Sequence, residues 1–330
     1  MNLQNKQRWI LPLAILSLLI LVVLLTKSCF SKPEPRGIDI PQKMTDSVVY
    51  NVEKLSGSVE AQMKNVDFHI DEGIVLQIKK LRGRLIPIEK YSHPIFNNKE
   101  SYILDIYSAN IKMDMKSLSN LLNKYVFGYK GSALKNIQVS ISGKQIKQEG
   151  SMRGIPFTII SDISVTPEGK IRLHPTDTKA FGIKMNGLMK FFNIKLKSLI
   201  PADSATGINV IDNDLLLDPI LMLPLPRNKG HLKSIEVENG ELTQVFFSKS
   251  ALPLKPYYEN TNYMYFRGGN LTFGKLTMKG TDIEIIDNDP KDPFDFFNDH
   301  YFEQLIAGYH KTTLDDGLII YMPDYSDIKK

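Results

Sequence analysis

Cysteine is almost absent from this sequence of 330 residues, in which Cys29 is the single example. One cysteine excludes an intramolecular disulfide framework, so the stability of the chain must come from packing. Hydrophobic residues make up 42% of the chain and charged residues 23%, and these values exclude wholesale disorder. The length is sufficient for one large domain or two smaller ones with a buried core.

The sequence also lacks the short motifs of the common enzyme classes. It has no G-x-S-x-G nucleophile elbow, no H-E-x-x-H, no paired-cysteine motif and no phosphate-binding glycine loop. Its six histidines are scattered along the chain. We therefore predict that the protein is not an enzyme and uses no cofactor. The remaining alternative is an active site assembled from carboxylates that are distant in the sequence.

Basic residues form no dense run, although charge is distributed unevenly. Residues 281–330 contain 12 acidic and 4 basic side chains, a balance of −8, so residues 1–280 carry +13. A basic body suits anionic lipid head groups or nucleic acid. Because the lysines are spread through alternating segments, we predict a solvated or lipid-facing surface and no nucleic-acid partner.

A long hydrophobic run occurs near the amino terminus, where Trp9–Leu25 gives 17 residues without a charge. This length is at the short end of what crosses a hydrocarbon core of roughly 30 Å. It exceeds the hydrophobic region of a signal peptide, about 7–15 residues, and Lys27 stands where cleavage needs a small residue. We predict an uncleaved signal anchor, with a cleaved signal peptide and a lipid-modified Cys29 as alternatives.

The position of this run sets the predicted topology. Few residues precede it and the rest of the chain follows it, so we expect the amino terminus inside and the body outside the cytoplasm, in a bacterial periplasm or at the cell surface. The predicted divisions are a stub and anchor over residues 1–28, a Pro-containing linker over 29–46, a β-rich domain over 47–252 and a C-terminal extension with an acidic region over 253–330.

Period-two alternation of apolar and polar residues dominates after the linker. It is clear at residues 74–81 and 101–115, and it indicates half-buried strands. Ser142-Gly143, Pro167–Gly169 and Asn239-Gly240 each separate two alternating segments and predict hairpin turns. The alternation continues over residues 270–286.

Three segments have helical spacing instead. Residues 117–127 begin with Ser117 as an N-cap, and residues 293–309 are an aromatic-rich candidate. Residues 182–201 place six apolar side chains on one face and end at Pro201. The predicted fold is α+β and mostly β: a long curved antiparallel meander wrapped around two or three amphipathic helices, preceded by one transmembrane helix.

The order of elements from Ile163 to Val245 resembles the bacterial phospholipid-binding domains of the LmeA type, which are similar to tubular lipid-binding proteins. The elements that carry the resemblance are the turn Val165–Ile171, the helix ending at Pro201, the strand Gly207–Val210, the turn Asp212–Asp214 and the strand Leu215–Leu217. The resemblance covers about a quarter of the chain and implies a curved sheet that cradles a helix, with lipid in the groove between them. The sequence departs from this pattern at residues 218–226 and after Pro253.

The resemblance implies a lipid-binding role for the helix of residues 182–201. Its apolar face would contact acyl chains, and its lysines would meet head groups; the alternative is that the same apolar face is ordinary core. The apolar residues are Met185, Leu188, Met189, Phe192, Leu196 and Leu199, and the lysines are Lys190, Lys195 and Lys197.

Residues 218–226 form an apolar segment whose three prolines exclude a central strand. We interpret it as a membrane lip that dips into the bilayer or gates a groove, or else as a buried connection along the edge of the sheet. The lip residues are Ile220, Leu221, Met222, Leu223 and Leu225.

The acidic loop of residues 287–295 invites a calcium interpretation, because hard cations prefer clustered oxygen ligands. The loop has two prolines and no glycine at a sharp turn, so we predict no metal. Instead we expect a solvated loop in which Asp292 caps the helix after Pro293.

The sequence thus favours a membrane-anchored protein that holds a phospholipid or another acyl lipid in an apolar groove and carries or presents it. A second hypothesis is a scaffold of the cell envelope with a fully packed core, whose acidic residues 282–327 contact a basic partner. A hydrolase acting on envelope polymers is a third.

Overall fold

The computed structural model describes residues 57–180, 183–184, 207–211 and 214–328. The fold is mostly β, with a sheet that curls into a half-barrel, and this confirms the prediction of a mostly-β protein. The predicted transmembrane helix lies outside the described residues.

Within the described residues, the larger sheet contains eleven strands. They are β1 (Val59–Asp71), β2 (Ile74–Pro87), β3 (Tyr102–Asp114), β11 (Arg227–Lys229), β12 (Leu232–Glu238), β13 (Glu241–Phe247), β14 (Tyr263–Arg267), β17 (Asp282–Asp287), β18 (Phe294–Phe297), β19 (Tyr309–Thr312) and β20 (Leu318–Met322). Their spatial order is β12-β13-β3-β2-β1-β14-β17-β20-β19, with β11 beside β3 and β18 beside β1.

The smaller sheet, as far as its residues are described, contains seven strands, in the order β4-β5-β6-β7-β10-β9 with β8 beside β7. They are β4 (Leu134–Ser142), β5 (Gln145–Met152), β6 (Ile155–Val165), β7 (Ile171–Ala180), β8 (Ile183–Lys184), β9 (Ile208–Ile211) and β10 (Asp214–Leu217). A separate hairpin pairs β15 (Asn270–Phe273) with β16 (Leu276–Lys279).

The three predicted hairpin turns are confirmed. Gly143 and Gly169 have φ angles of 66° and 78°, which glycine adopts without steric cost. Asn239 and Gly240 both have positive φ, 52° and 84°, as the two central residues of a type I′ turn require. The turn chemistry in the sequence therefore fixes the local pairing of β4 with β5, β6 with β7, and β12 with β13.

Strands on both sides of the predicted boundary at residues 252/253 belong to one sheet. β14 pairs antiparallel with β1 from Glu60 to Lys64, and β18 pairs parallel with β1 from Val66 to His69. Phe96 packs against Phe273 and Tyr301 with ring centroids 4.9 and 5.6 Å away. The residues after Pro253 thus complete the sheet and the core that the first strands begin.

The predicted helix at residues 117–127 begins earlier and ends differently. It is α1 (Met115–Leu121), followed by a single π-helical turn (Leu122–Val126). The N-cap is Asp114, whose carboxylate accepts a hydrogen bond of 2.6 Å from the Ser117 amide, so the assignment of Ser117 as N-cap is wrong. The Ser117 hydroxyl instead accepts a bond of 3.2 Å from the Val75 amide and ties the helix to β2.

The other described helices are short: α2 (Pro219–Met222), α3 (Tyr301–Ala307) and α4 (Tyr325–Ile328). Only the later part of the predicted helix at residues 293–309 is helical, because Phe294–Phe297 forms β18 beside β1. Asp292 therefore caps no helix, and that prediction is wrong.

Carboxylates of the acidic region hold the C-terminal segment in place. Asp324 accepts a hydrogen bond of 2.8 Å from the Asp295 amide, and Asp295 accepts one of 3.1 Å from the Ser326 amide. Asp287 accepts from the side chain of Asn262 at 2.9 Å and from the Asp289 amide at 2.7 Å. The carboxylates of these acidic residues therefore serve as hydrogen-bond acceptors for other groups of the same fold.

Asp324 is buried, with 7% of its surface exposed. Burial raises the pKa of its carboxyl group from 3.8 to about 7; the hydrogen bond from the Asp295 amide opposes this rise, and the neighbouring carboxylates of Asp287, Asp292 and Asp295 reinforce it. Between these two pH values the folded protein binds a proton that the unfolded chain lacks. The contribution of protonated Asp324 to the stability of the folded protein is therefore complete below about pH 4 and is lost as the pH rises through 7.

We expect Asp114→Ala to lower the free energy of unfolding by about 1 kcal/mol, because it removes the N-cap of α1. Asp114→Asn keeps an acceptor oxygen for the Ser117 amide and is the matched control. Denaturant unfolding of the full chain measures both, and equal losses in the two variants would contradict the capping role.

Asp324→Asn cannot ionise but retains an oxygen that accepts from the Asp295 amide. At about pH 8 we expect this variant to unfold at a higher temperature than the parent. The gain in the free energy of unfolding should be at most ~4 kcal/mol, since each pKa unit corresponds to about 1.36 kcal/mol. Near pH 4 the variant and the parent should unfold at the same temperature.

The control is Asp327→Asn, which changes an exposed carboxylate three residues further along the chain. It should follow the melting curve of the parent at both pH values. A constant difference between Asp324→Asn and the parent across the pH range would refute the assignment of this titration to Asp324.

Candidate functional site

The residues of the helix 182–201 that were predicted to contact lipid lie outside the described residues. They are Met185, Leu188, Met189, Phe192, Leu196 and Leu199, with Lys190, Lys195 and Lys197. Ile183 and Lys184, predicted as part of the helix of residues 182–201, form the strand β8 instead, so that part of the prediction is wrong. The strands that flank residues 185–206 are described. β8 pairs with β7 at Lys179 and Ala180, whereas the start of β9 reaches the other end of β7, at Ile171, through Leu217 of β10.

An apolar groove of about 100 Å³ opens on the inner face of the larger sheet. Strands β1, β2 and β3 form its floor, and residues 223–226 form a wall. Side chains that line the floor include Phe68, Leu76, Ile78, Leu81, Leu104 and Ile111.

The pairing register brings these apolar side chains to one face. Met63 lies opposite Leu81, Phe68 lies opposite Leu76, and Ile78 lies opposite Ile111 on β3. Paired residues of neighbouring strands point to the same side of a sheet, so the apolar positions of three strands form a continuous surface.

The rim of the apolar groove carries its polar side chains, Lys99, Asn228 and Asn298. The Lys99 ammonium lies 2.5 Å from the carboxylate of Asp299, and the amide of Asn228 donates a bond of 2.9 Å to the Pro226 carbonyl. These groups are engaged with neighbours at the edge. The interior of the groove can therefore bury apolar surface but offers little for chemistry on a polar substrate.

We call residues 218–226 the lip segment. The Asp218 carboxylate caps its short helix by accepting hydrogen bonds of 3.0 and 3.3 Å from the amides of Ile220 and Leu221. The segment is held at both ends: the Asp218 amide donates a bond of 2.7 Å to the Gly207 carbonyl, and β11 pairs with β3 immediately after Pro226. Between these anchors, no hydrogen bond to another described residue is made by the amides of Leu223 and Leu225.

The predicted lip residues divide between the core and the surface. Met222 is buried and Ile220 is half-buried, whereas Leu221 and Leu225 are 52% and 42% exposed. Leu223 and Leu225 line the apolar groove. The lip segment thus forms one wall of the groove and exposes leucines beside it.

A second apolar pocket, of about 60 Å³, lies on the smaller sheet against the π-helical turn. Its lining residues include Leu122, Phe127, Leu134, Ile159, Ile208 and Leu215. Both sheets therefore present apolar inner faces with incompletely filled space.

The floor of the apolar groove was not identified from the sequence. The alternation at residues 74–81 and 101–115 predicted the strands, but alternation does not distinguish a filled core from a groove. The signal that could have found it is the lip segment, whose prolines and leucines require an apolar surface beside them.

No helix among the described residues is both long enough and apolar enough to cross a membrane. In the same part of the chain, no three His, Cys, Asp or Glu side chains come together in a way that could hold a metal ion.

Comparison with known proteins adds no relative from which a function could be transferred. No protein-family model matches the chain, and no curated protein or solved structure matches it either. The resemblance to LmeA-type domains stays a prediction.

Proposed function

We propose that this chain is a membrane-anchored, extracytoplasmic lipid-binding protein, which holds acyl chains in the apolar groove and carries or presents lipid. The observation that carries the proposal is the apolar groove itself, with the exposed leucines of the lip segment at its side. Each methylene group transferred from water to such a surface contributes roughly 0.8 kcal/mol.

The size of the apolar groove implies that it opens when it binds. Pockets for drug-sized ligands have volumes of about 300–1,000 Å³, and the groove has about 100 Å³. The lip segment is the part suited to move, because its ends are anchored and the amides of Leu223 and Leu225 make no hydrogen bond to the described residues. Outward displacement of this wall would admit an acyl chain.

Residues 185–206 connect β8 to β9, and the spacing of these two strands supports the predicted lipid-contacting helix. β8 ends at Lys184, opposite Lys179, and β9 begins at Ile208, which is level with Ile171 through Leu217 of β10. Lys179 and Ile171 are separated by roughly 26 Å along β7, at about 3.3 Å per residue. A helix over residues 185–200 would be about 24 Å long, at 1.5 Å per residue. A helix of that length would run the distance between the two strands that flank it.

The predicted anchor at Trp9–Leu25 would place the body beside a source of lipid, and Lys190, Lys195 and Lys197 would give a loose preference for anionic head groups. The scaffold hypothesis is less well supported. Asp287, Asp295 and Asp324 already bind groups within the fold, so they are less available to a basic partner.

The proposal is tested with a phospholipid that carries a diazirine in its acyl chain, added to membranes containing the full-length protein. After photolysis, peptide mass spectrometry should find adducts on the lip segment and on β2 and β3. Leu225→Glu should reduce this labelling about tenfold or more, because it places a charge at an apolar wall.

The matched control is Leu276→Glu, which makes the same change at a leucine of similar exposure outside the groove, 48% against 42%. Both variants should melt close to the parent. Absence of adducts on these peptides, or equal labelling of the two variants, would count against acyl binding and in favour of the scaffold hypothesis.

A further inference from the structure

A second concave surface lies on the opposite face of the larger sheet from the apolar groove. Residues on β1 and β2 form its floor, and the segment of residues 251–256 forms its roof. It has a volume of about 560 Å³, within the range of small-molecule sites. We call it the basic cleft, because Lys64, Lys80, Arg82 and Lys255 line it.

The register of β1 and β2 concentrates these cations. Lys64 lies directly opposite Lys80, and Gln62 lies directly opposite Arg82. Their neighbours Met63 and Leu81 form the next pair and point to the other face, into the apolar groove. Like charges at directly opposed positions destabilise a sheet, so the pairing of Lys64 with Lys80 costs stability.

Three of the four described cations can meet a ligand, because Lys64 uses only one of its three N–H donors within the fold. Arg82 is engaged by the carboxylate of Glu60 at 2.7 Å, and Lys64 donates a bond of 2.7 Å to the Glu259 carbonyl. Lys80 and Lys255 are exposed, and within the described part of the chain neither side chain makes a hydrogen bond, an ion pair or a ring contact.

The roof of the basic cleft is rigidly attached. The side-chain amide of Gln62, a buried residue, donates a bond of 3.0 Å to the Leu254 carbonyl and accepts one of 2.8 Å from the Leu254 amide. Arg82 donates to the Leu252 carbonyl at 3.0 Å. Pro253 and Pro256 further restrict this segment. A preorganised cleft loses less entropy when it binds.

The charges that face the basic cleft define the ligand. Among the described residues, four cationic side chains line it, and Glu259 supplies the one carboxylate. The hydroxyl of Tyr263, which accepts a bond of 2.7 Å from Gln62, adds a polar group at the floor. Such a surface suits a compact group with more than one negative charge.

We infer that the basic cleft binds a phosphate-bearing anion between Lys64, Lys80 and Lys255. The phosphate would lie between the opposed lysines and relieve their repulsion. The same chemistry is offered by a free organic phosphate and by the head group of an anionic phospholipid. This site is separate from the apolar groove, and its existence does not depend on acyl binding there.

Isothermal titration calorimetry of the full-length protein in dodecyl maltoside tests this inference. One arm uses glycerol 3-phosphate; the other uses mixed micelles that contain phosphatidylglycerol, with phosphatidylcholine as the uncharged reference. The double variant Lys80→Gln/Lys255→Gln should weaken binding about tenfold or more, since charge-assisted hydrogen bonds are lost. Without ligand it should melt no lower than the parent, because the opposed lysines no longer repel.

The matched control is Lys275→Gln/Lys279→Gln, which removes the same charge from exposed lysines of the hairpin β15–β16. It should bind as the parent does. Saturable binding of glycerol 3-phosphate that the cleft variant alone loses supports a free phosphate as ligand, and the same pattern only with phosphatidylglycerol supports a lipid head group. No saturable binding in either arm, or an equal loss in the control, overturns the inference.

Discussion

The antiparallel register between β1 and β2 is the constraint on which both concave surfaces depend. Side chains alternate between the two faces of a sheet, so a slip of one residue would exchange every inward side chain for an outward one. Met63 opposite Leu81 sets the inner face, and Lys64 opposite Lys80 sets the outer face. One pairing therefore gives the sheet an apolar side and a cationic side.

Asn65 preserves this division along the full length of β1. It adopts a φ angle of 51°, a left-handed conformation that asparagine tolerates better than most residues. The alternation changes phase there: Met63 and Val66 are both buried, although three positions separate them. The Lys79 ammonium contacts the Asn65 side chain across the strands, at 3.4 Å. The irregularity thus keeps apolar residues inside on both sides of it.

Local features of the fold could be predicted from the sequence, whereas long-range ones could not. The turns at Gly143 and Asn239 depend on neighbouring residues, and so do the alternating strands. Residues 294–297 were predicted as helix because their aromatic content fits either structure, and their pairing with distant β1 decides for a strand. Asp114 replaced Ser117 as cap because β3 runs directly into the helix. The apolar groove and the basic cleft need the positions of segments far apart in the chain, which no local pattern gives.

The pairing of β1 with β14 has a consequence for the order in which the chain folds. Glu60 pairs with Arg267, more than 200 residues later, whereas the hairpins of the smaller sheet close between neighbours. Contacts of such separation form slowly, because a long loop must close before they contribute. During synthesis, the edge of β1 stays open at least until residues 263–267 emerge. An exposed strand edge can pair with other chains, so the newly made protein passes through a stage in which its first strand is the part most exposed to aggregation.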